Sequence, residues 1–66
     1  MRPHVYWEKI NSNWWSSPAG YVQERDGTWS AYVYHNLRTG KAWTECKTGF
    51  TSAAAARQWV ERHAEE

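Results

Sequence analysis

The clearest pattern in the sequence is an alternation of apolar and polar residues on both sides of Asp26-Gly27. An Asp-Gly pair between two alternating runs is the strongest short-range signal for a β-hairpin, because a type I′ turn needs a positive φ at both central residues. A two-residue turn also fixes the pairing of the two strands. We therefore expect three facing pairs, which are Arg25 with Thr28, Gln23 with Ser30 and Tyr21 with Tyr32.

The alternation sorts the hairpin residues onto two faces, because successive side chains of a strand point to opposite sides. The more apolar set is assigned to the core, with its one acidic residue near the hairpin end. This core set is Val22, Glu24, Trp29, Ala31, Val33 and His35. The opposite set is Tyr21, Gln23, Arg25, Thr28, Ser30, Tyr32 and Tyr34.

A turn over residues 36–40 leads to a further predicted strand over residues 41–47. The turn can hold four or five residues, and the choice exchanges the two faces of the strand. One register buries Ala42, Thr44 and Cys46 and places Trp43, Glu45 and Lys47 beside the tyrosines. The other register buries Trp43 and turns Glu45 and Lys47 inward. The first register is preferred because it leaves no charge inside the protein.

The C-terminal segment has the pattern of an amphipathic helix over residues 51–64, ending at about His63. Thr51 or Ser52 is a good N-cap, and the alanine run that follows favours a helix. The apolar helix face is expected to pack on the core side of the sheet, and it holds Ala56, Trp59, Val60 and His63. A solvated face and end are expected at Arg57, Glu61, Arg62, Glu65 and Glu66.

The N-terminal segment is less regular. Residues 5–10 have the pattern of a short strand, and residues 11–20 are rich in Asn, Ser, Pro and Gly, which is typical of a loop. Two adjacent tryptophans, Trp14 and Trp15, lie within that loop. Two interpretations stay open: they cover the end of the core, or one of them projects as a binding anchor.

These elements predict an α+β fold, a three- or four-stranded antiparallel sheet with one C-terminal helix packed on one face. The 66 residues form a single domain. Within it, residues 1–19 form an N-terminal strand and loop, residues 20–48 the antiparallel sheet and residues 51–64 the helix.

Composition explains how so short a chain can hold a core. Cys46 is the one cysteine, so no disulfide forms within the chain. Dense aromatic packing is the remaining source of stability, and the chain has six Trp, four Tyr and one Phe. The net charge of +1 is spread along the chain, which argues against a large electrostatic footprint for nucleic acid.

Candidate chemistry is sparse. A metal or cofactor is not expected, because His4, His35, His63 and Cys46 show no close pair spacing and no glycine-rich phosphate loop occurs. The preferred strand register places Cys46 on the face of His35, a possible nucleophile–base pair that we rank well below a structural thiol. We expect no catalytic residues and no enzyme activity. With no signal peptide, no membrane-length apolar run and a free cysteine, we expect a cytoplasmic protein.

A sheet with one helix leaves one face uncovered. Tyr, Trp and Arg are enriched at binding hot spots, so this face is the predicted site for a partner. Its predicted residues are Tyr21, Gln23, Arg25, Tyr32, Tyr34, Trp43 and Lys47, with Trp14 and Trp15 beside them. Two alternatives remain open: the N-terminal segment folds over the face with Val5, Tyr6, Trp7, Trp14 and Trp15, or the face forms a homodimer.

Several motifs resemble the arm-type DNA-binding domain at the N-terminus of phage integrases, over about two thirds of the chain. They are Gly20, Asp26-Gly27 with Trp29, the run Ala31-Tyr32-Val33-Tyr34, Thr39-Gly40-Lys41, and Gly49-Phe50-Thr51 before a helix with Ala55 and Trp59. The resemblance implies a sheet face that enters the major groove of duplex DNA. Here Arg25, Lys41 and Lys47 would contact phosphates, with Glu45 between them.

In size and layout the chain is also similar to small orphan proteins of phages and prophages, among them anti-CRISPR proteins and other host-directed inhibitors. That resemblance implies a stand-alone protein that blocks a host protein by occupying its surface. The near-neutral charge and the aromatic sheet face favour such a protein partner. The alternatives are a DNA-binding module of the integrase-arm type and an oligomeric structural or virion component.

Overall fold

The computed structural model describes residues 5–36 and 39–64. It contains one antiparallel sheet, in which every strand lies beside its neighbour in sequence, and one helix. The strands are β1 (Glu8–Asn11), β2 (Trp14–Ser17), β3 (Gly20–Arg25), β4 (Thr28–His35) and β5 (Trp43–Phe50), and the helix is α1 (Ala53–His63). The predicted α+β class with a C-terminal helix is confirmed, but the sheet has five strands where three or four were expected.

The additional strand is β2, which occupies part of the segment that was predicted to be a loop. Trp14 pairs with Gln23 and Trp15 with Val22. The turn residues of this segment lie on either side of the strand, in the β1–β2 turn and in the two-residue turn between Ser17 and Gly20. The prediction was wrong because four residues are too few for a strand pattern to stand out between two turns.

A buried serine closes the hairpin between β2 and β3. The Ser17 hydroxyl donates a hydrogen bond to the Gly20 carbonyl oxygen at 2.7 Å and accepts one from the Gly20 N–H at 3.1 Å. Gly20 is buried against β4, and a Cβ at this position would lie 1.9 Å from the carbonyl oxygen of Tyr32. Only glycine lets the two strands approach this closely.

The β3–β4 hairpin agrees with the predicted register at all three expected pairs. Asp26 has a φ of 54° and Gly27 a φ of 80°, as a type I′ turn requires. The predicted core side is also confirmed, since Val22, Ala31 and Val33 are fully buried.

The preferred register of the next strand was wrong. β5 pairs Glu45 with Val33 and Lys47 with Ala31, so its odd-numbered residues lie on the core side of the sheet. This register does not bury charge, because the helix lies mainly over β3 and β4 and β5 is an edge strand. Lys47 is exposed and Glu45 is half-buried, so the desolvation cost that favoured the other register does not arise.

The helix begins with a capped turn and packs a narrow apolar stripe on the sheet. Ser52 is the N-cap, and its Oγ accepts a hydrogen bond from the Ala55 N–H at 3.1 Å. Two helix residues, Ala56 and Val60, are fully buried. They form the core with Val22, Ala31 and Val33, and the larger side chains around this core are Trp7, Trp15, Trp29, Phe50 and Trp59.

Two helix residues that were predicted to be solvated instead contact tryptophans. The Arg57 guanidinium lies 4.2 Å from the ring centre of Trp15, and the Trp7 indole N–H donates to Glu61 Oε2 at 2.9 Å. Both helix residues are half-buried, whereas Arg62 is exposed as predicted. Glu65 and Glu66, the other two residues of that prediction, lie outside the described residues.

Candidate functional site

The helix covers one side of the sheet, here called the helix face, and the opposite side is here called the open face. Because paired residues of antiparallel strands share a face and successive residues alternate, the strand pairing assigns each side chain to a face. The open face holds Glu8, Asn11, Trp14, Ser16, Tyr21, Gln23, Arg25, Thr28, Ser30, Tyr32, Tyr34, Thr44 and Cys46.

Three tyrosines form a cluster at the centre of the open face. The rings of Tyr21 and Tyr32 are stacked, with 4.4 Å between their centres and 15° between their planes. Tyr34 lies 6.1 Å from Tyr21, also between ring centres. These rings support one another across β3 and β4, so they form a stable platform for a partner.

The environment of this cluster changes the acidity of two of its phenols. Burial, the neighbouring Cys46 thiol and Tyr21 raise the pKa of Tyr32 above its ordinary value, against a smaller opposing effect of the hydrogen bond from Ser30. Burial and Tyr21 also raise the pKa of Tyr34. Both phenols therefore stay neutral at physiological pH and can donate hydrogen bonds to a partner.

Beside the tyrosines the open face contains a pocket of about 550 Å³. Trp14 and Tyr32 supply aromatic surface to it, and Arg25 supplies a guanidinium group. The β1–β2 turn is held against β3 by a hydrogen bond from the Glu24 N–H to the Asn13 carbonyl oxygen at 2.8 Å. The remaining lining residues are polar and are Asn11, Ser12, Asn13, Gln23, Glu24 and Ser30.

The structure brings together six of the nine predicted partner-binding residues. These six share the open face and are Trp14, Tyr21, Gln23, Arg25, Tyr32 and Tyr34. The other three lie on the helix face and are Trp15, Trp43 and Lys47. Trp43 and Lys47 lie there because the observed register of β5 is the opposite of the predicted one. Trp15 lies there in contact with the Arg57 guanidinium.

The polar residues that β1, β2 and β5 add to the open face were not among the predicted site residues. Asn11 lines the pocket from β1, and Thr44 and Cys46 extend the face along β5. The Asn-Ser-Asn run at residues 11–13 was predicted only to form part of a loop. Its position beside Trp14 was the available signal that the turn borders an aromatic surface.

The structure shows which residues of the N-terminal segment cover the core and which are exposed. Trp14 is 37% exposed on the open face, whereas Trp15 packs against the core on the helix face. Trp7 also packs against the core, and Tyr6 is 73% exposed. The segment therefore widens the sheet at its β1 edge and does not form the cover over the tyrosines that was considered.

The proposed thiol–imidazole pair is not formed. Cys46 is opposite Tyr32 and is exposed on the open face, whereas His35 lies on the helix face. His35 instead contacts Glu45, with 2.9 Å between Nε2 and Oε1, and stacks on Trp43 with 4.4 Å between ring centres. Within residues 5–36 and 39–64, no three His, Cys, Asp or Glu side chains converge as metal ligands would.

Alkaline pH provides a test of the tyrosine cluster. A phenol whose pKa is raised on folding contributes to stability at a pH below its unfolded-state pKa of about 10. This contribution is lost as the pH rises through the raised pKa of the folded state. We therefore expect the free energy of unfolding to fall above that pH. In the variant Tyr32→Phe, Tyr34→Phe the fall should be smaller, as measured by urea denaturation over a pH series. An equal fall in both proteins would show that the cluster does not control it.

No helix in the described part of the chain is long and apolar enough to cross a membrane. No protein-family model, curated protein or solved structure matches the chain at a significant level. The function of the open face is therefore inferred from its geometry and chemistry.

Proposed function

We propose that the chain is a non-enzymatic binding protein that docks its open face on a protein partner. The observation that carries this proposal is the arrangement of Trp14 and the tyrosines Tyr21, Tyr32 and Tyr34 on the sheet face opposite the helix, next to a polar pocket. An exposed aromatic surface with polar groups at its border is typical of an interaction site.

The distribution of charge favours a protein partner over duplex DNA. Among the described residues of the open face, Glu8 and Arg25 are the charged ones. Lys9 and Lys47 lie on the helix face. A sheet face that enters a DNA groove needs several cations against the phosphates, because phosphate neutralisation supplies much of the affinity. A partner recognised by ring surfaces and hydrogen bonds needs no such set.

Each part of the pocket has a role in this proposal. Trp14 supplies the exposed apolar anchor, and Tyr32 supplies the opposite aromatic wall. Arg25 offers planar, directional donors for a carboxylate or a carbonyl oxygen of the partner. The amides of Asn11 and Gln23 can both donate and accept hydrogen bonds. The pocket volume is sufficient for one or two side chains of the partner.

We further propose that the protein is a phage-type accessory protein that acts in the host cytoplasm by occupancy. In this role it covers a functional surface of a host protein, as an inhibitor of the anti-CRISPR kind does. Two features support the role: a single small domain carries the whole binding surface, and its size and layout are similar to those of small phage proteins. Inhibition by occupancy requires only a rigid, complementary face, which a sheet braced by a helix provides.

The first test identifies the partner and separates protein from DNA. The tagged full chain is used as bait in bacterial lysate with and without nuclease, and bound proteins are identified by mass spectrometry. We expect one stoichiometric protein that remains bound after nuclease treatment. Loss of all captured material on nuclease treatment would contradict the proposal and support the DNA-binding alternative.

The second step assigns the interface with a matched pair of exposed tryptophans. Trp14→Ala on the open face should weaken binding of the purified partner by at least about 2 kcal/mol, or roughly thirtyfold in Kd. Trp43→Ala removes a more exposed tryptophan, 51% against 37% for Trp14, from the helix face and should leave Kd within about twofold. Calorimetric titration measures both values. A larger loss of affinity for Trp43→Ala than for Trp14→Ala would assign binding to the helix face and overturn the proposal.

A further inference from the structure

The hairpin turn determines which backbone groups each strand offers to its neighbours. In a two-residue hairpin the residues that flank the turn, Arg25 and Thr28, exchange both of their hydrogen bonds. Hydrogen-bonding direction then alternates along β4, so its even-numbered residues point their N–H and C=O groups toward β3. The hydrogen bond from the Tyr34 N–H to the Ala19 carbonyl oxygen at 2.9 Å agrees with this assignment. The odd-numbered residues of β4 therefore point toward β5.

The same alternation leaves unpaired backbone groups on the outer side of β5. Trp43, Glu45 and Lys47 lie opposite the odd-numbered residues of β4, so their N–H and C=O groups point inward. Thr44 and Cys46 point their N–H and C=O groups outward, where no strand of residues 5–36 or 39–64 lies beside β5. An edge strand with free groups of this kind is a template for a further strand.

The β5 edge has little of the protection that edge strands usually carry. No proline interrupts residues 43–47, and the β-bulge lies only at the far end of the strand, between the pairs of Trp29 and Ala31, where Gly49 has a φ of 91°. Two charged side chains are present, Glu45 and Lys47. Their charges are opposite, and they lie two positions apart on one face. They therefore repel a strand that places like charges opposite them and attract one that places opposite charges there.

We propose that β5 pairs antiparallel with β5 of a second copy of the chain, in a register centred on Cys46. This register places Glu45 opposite Lys47 of the second copy, and Lys47 opposite its Glu45, so two pairs of opposite charge form. A register centred on Glu45 would place the two Glu45 side chains opposite each other, and one centred on Thr44 would place Lys47 against Lys41. Of these three registers, charge favours the one centred on Cys46.

Glu45 and Lys47 remain available for this pairing in the single chain. The contact of Glu45 with His35 uses Oε1, and the Glu45 side chain is 38% exposed. Lys47 is exposed. In the proposed register both charged pairs occupy non-hydrogen-bonded positions, where facing side chains of antiparallel strands lie closest together.

The pairing would join two five-stranded sheets into one and keep both open faces on the same side. An antiparallel strand pair has a two-fold axis perpendicular to the sheet, so equivalent residues of both copies lie on one face. The two tyrosine clusters would then form one continuous surface. This inference stands on the β5 edge alone and does not depend on the identity of any partner.

A charge-exchange experiment tests the register. The full chain is studied by sedimentation equilibrium up to millimolar concentration with a thiol reductant present, and the weight-average mass should rise from 7.8 kDa toward twice that value. Glu45→Lys alone and Lys47→Glu alone each place like charges opposite each other. Each variant should weaken self-association by roughly tenfold or more.

Mixing the two variants provides the control for misfolding. A chain with Lys at both positions is complementary to a chain with Glu at both, so the equimolar mixture should associate at least as tightly as the original protein. Cys46→Pro removes an outward N–H that has no partner within the sheet, so it should abolish association and leave the thermal unfolding of the monomer cooperative. Three results would overturn the proposal: a monomer at every concentration, no association in the mixture, or association that persists in Cys46→Pro.

Discussion

Gly20→Ala is expected to destabilise the protein by at least about 3 kcal/mol. The added Cβ would lie 1.9 Å from the Tyr32 carbonyl oxygen, a backbone atom in the middle of the sheet that cannot move aside without breaking the β3–β4 pairing. A chain of this length has a total stability of roughly 3 to 10 kcal/mol. The variant should therefore be largely unfolded or close to it, as measured by urea denaturation followed by tryptophan fluorescence.

Gly40→Ala is the matched control for this substitution. Gly40 has a φ of 78°, and among the described residues, apart from its chain neighbours, no atom lies within 4 Å of the position that its Cβ would take. The cost there is the left-handed backbone alone, about 1 kcal/mol. If the two variants lost equal stability, the contact of Gly20 with β4 would not be the cause of its effect.

Val60→Ala is expected to cost about 2 kcal/mol or more. Val60 is fully buried at the contact between helix and sheet, and the substitution removes two methyl groups and leaves a cavity. The core consists of five small residues, so neighbouring side chains have little length with which to fill the gap. The midpoint of urea unfolding should fall while the slope of the transition stays unchanged.

Gln58→Ala is the control for Val60→Ala on the same helix. Gln58 is exposed, and alanine is at least as good a helix former as glutamine, so the change in stability should stay within about 0.5 kcal/mol. Both substitutions introduce the best helix former, so helix propensity cannot cause a loss in either variant. A similar loss in both would show that the burial of Val60 against the sheet is not the source of its effect.

The parts of the fold that could be predicted are those with strong local signals. Asp26-Gly27 fixed the β3–β4 register, because only one turn type suits a positive φ at both residues. Ser52 and the alanine run located the helix, since capping and propensity are both properties of neighbouring residues. In both cases the energy that selects the structure comes from within a few residues of chain.

The parts that failed depend on contacts between distant residues. The register of β5 was chosen to avoid burying Glu45 and Lys47, but the helix does not extend over that edge of the sheet. Where a helix lies across a sheet is decided by packing over the whole domain, so hydrophobic alternation within one strand cannot reveal it. The same holds for Arg57, whose contact with Trp15 joins the helix to an added strand.

The candidate site also has one part that local sequence signals predict and one part that depends on contacts between distant residues. Its tyrosine platform followed from the hairpin register, which was predicted correctly, so Tyr21, Tyr32 and Tyr34 were placed together from sequence alone. The pocket could not be predicted, because its other wall is the β1–β2 turn, which reaches β3 only when β2 is recognised as a strand.

The sequential order of the strands also has a consequence for how the chain folds. Each strand finds its partner across a short turn, so the entropy lost on closing each loop is small, and sheets built this way fold faster than those that pair distant segments. The hydrogen bond between Trp7 and Glu61 is an exception, since it spans 54 positions in the chain. It can form only after the N-terminal segment and the helix have come together, so its formation reports the docking of these two distant segments.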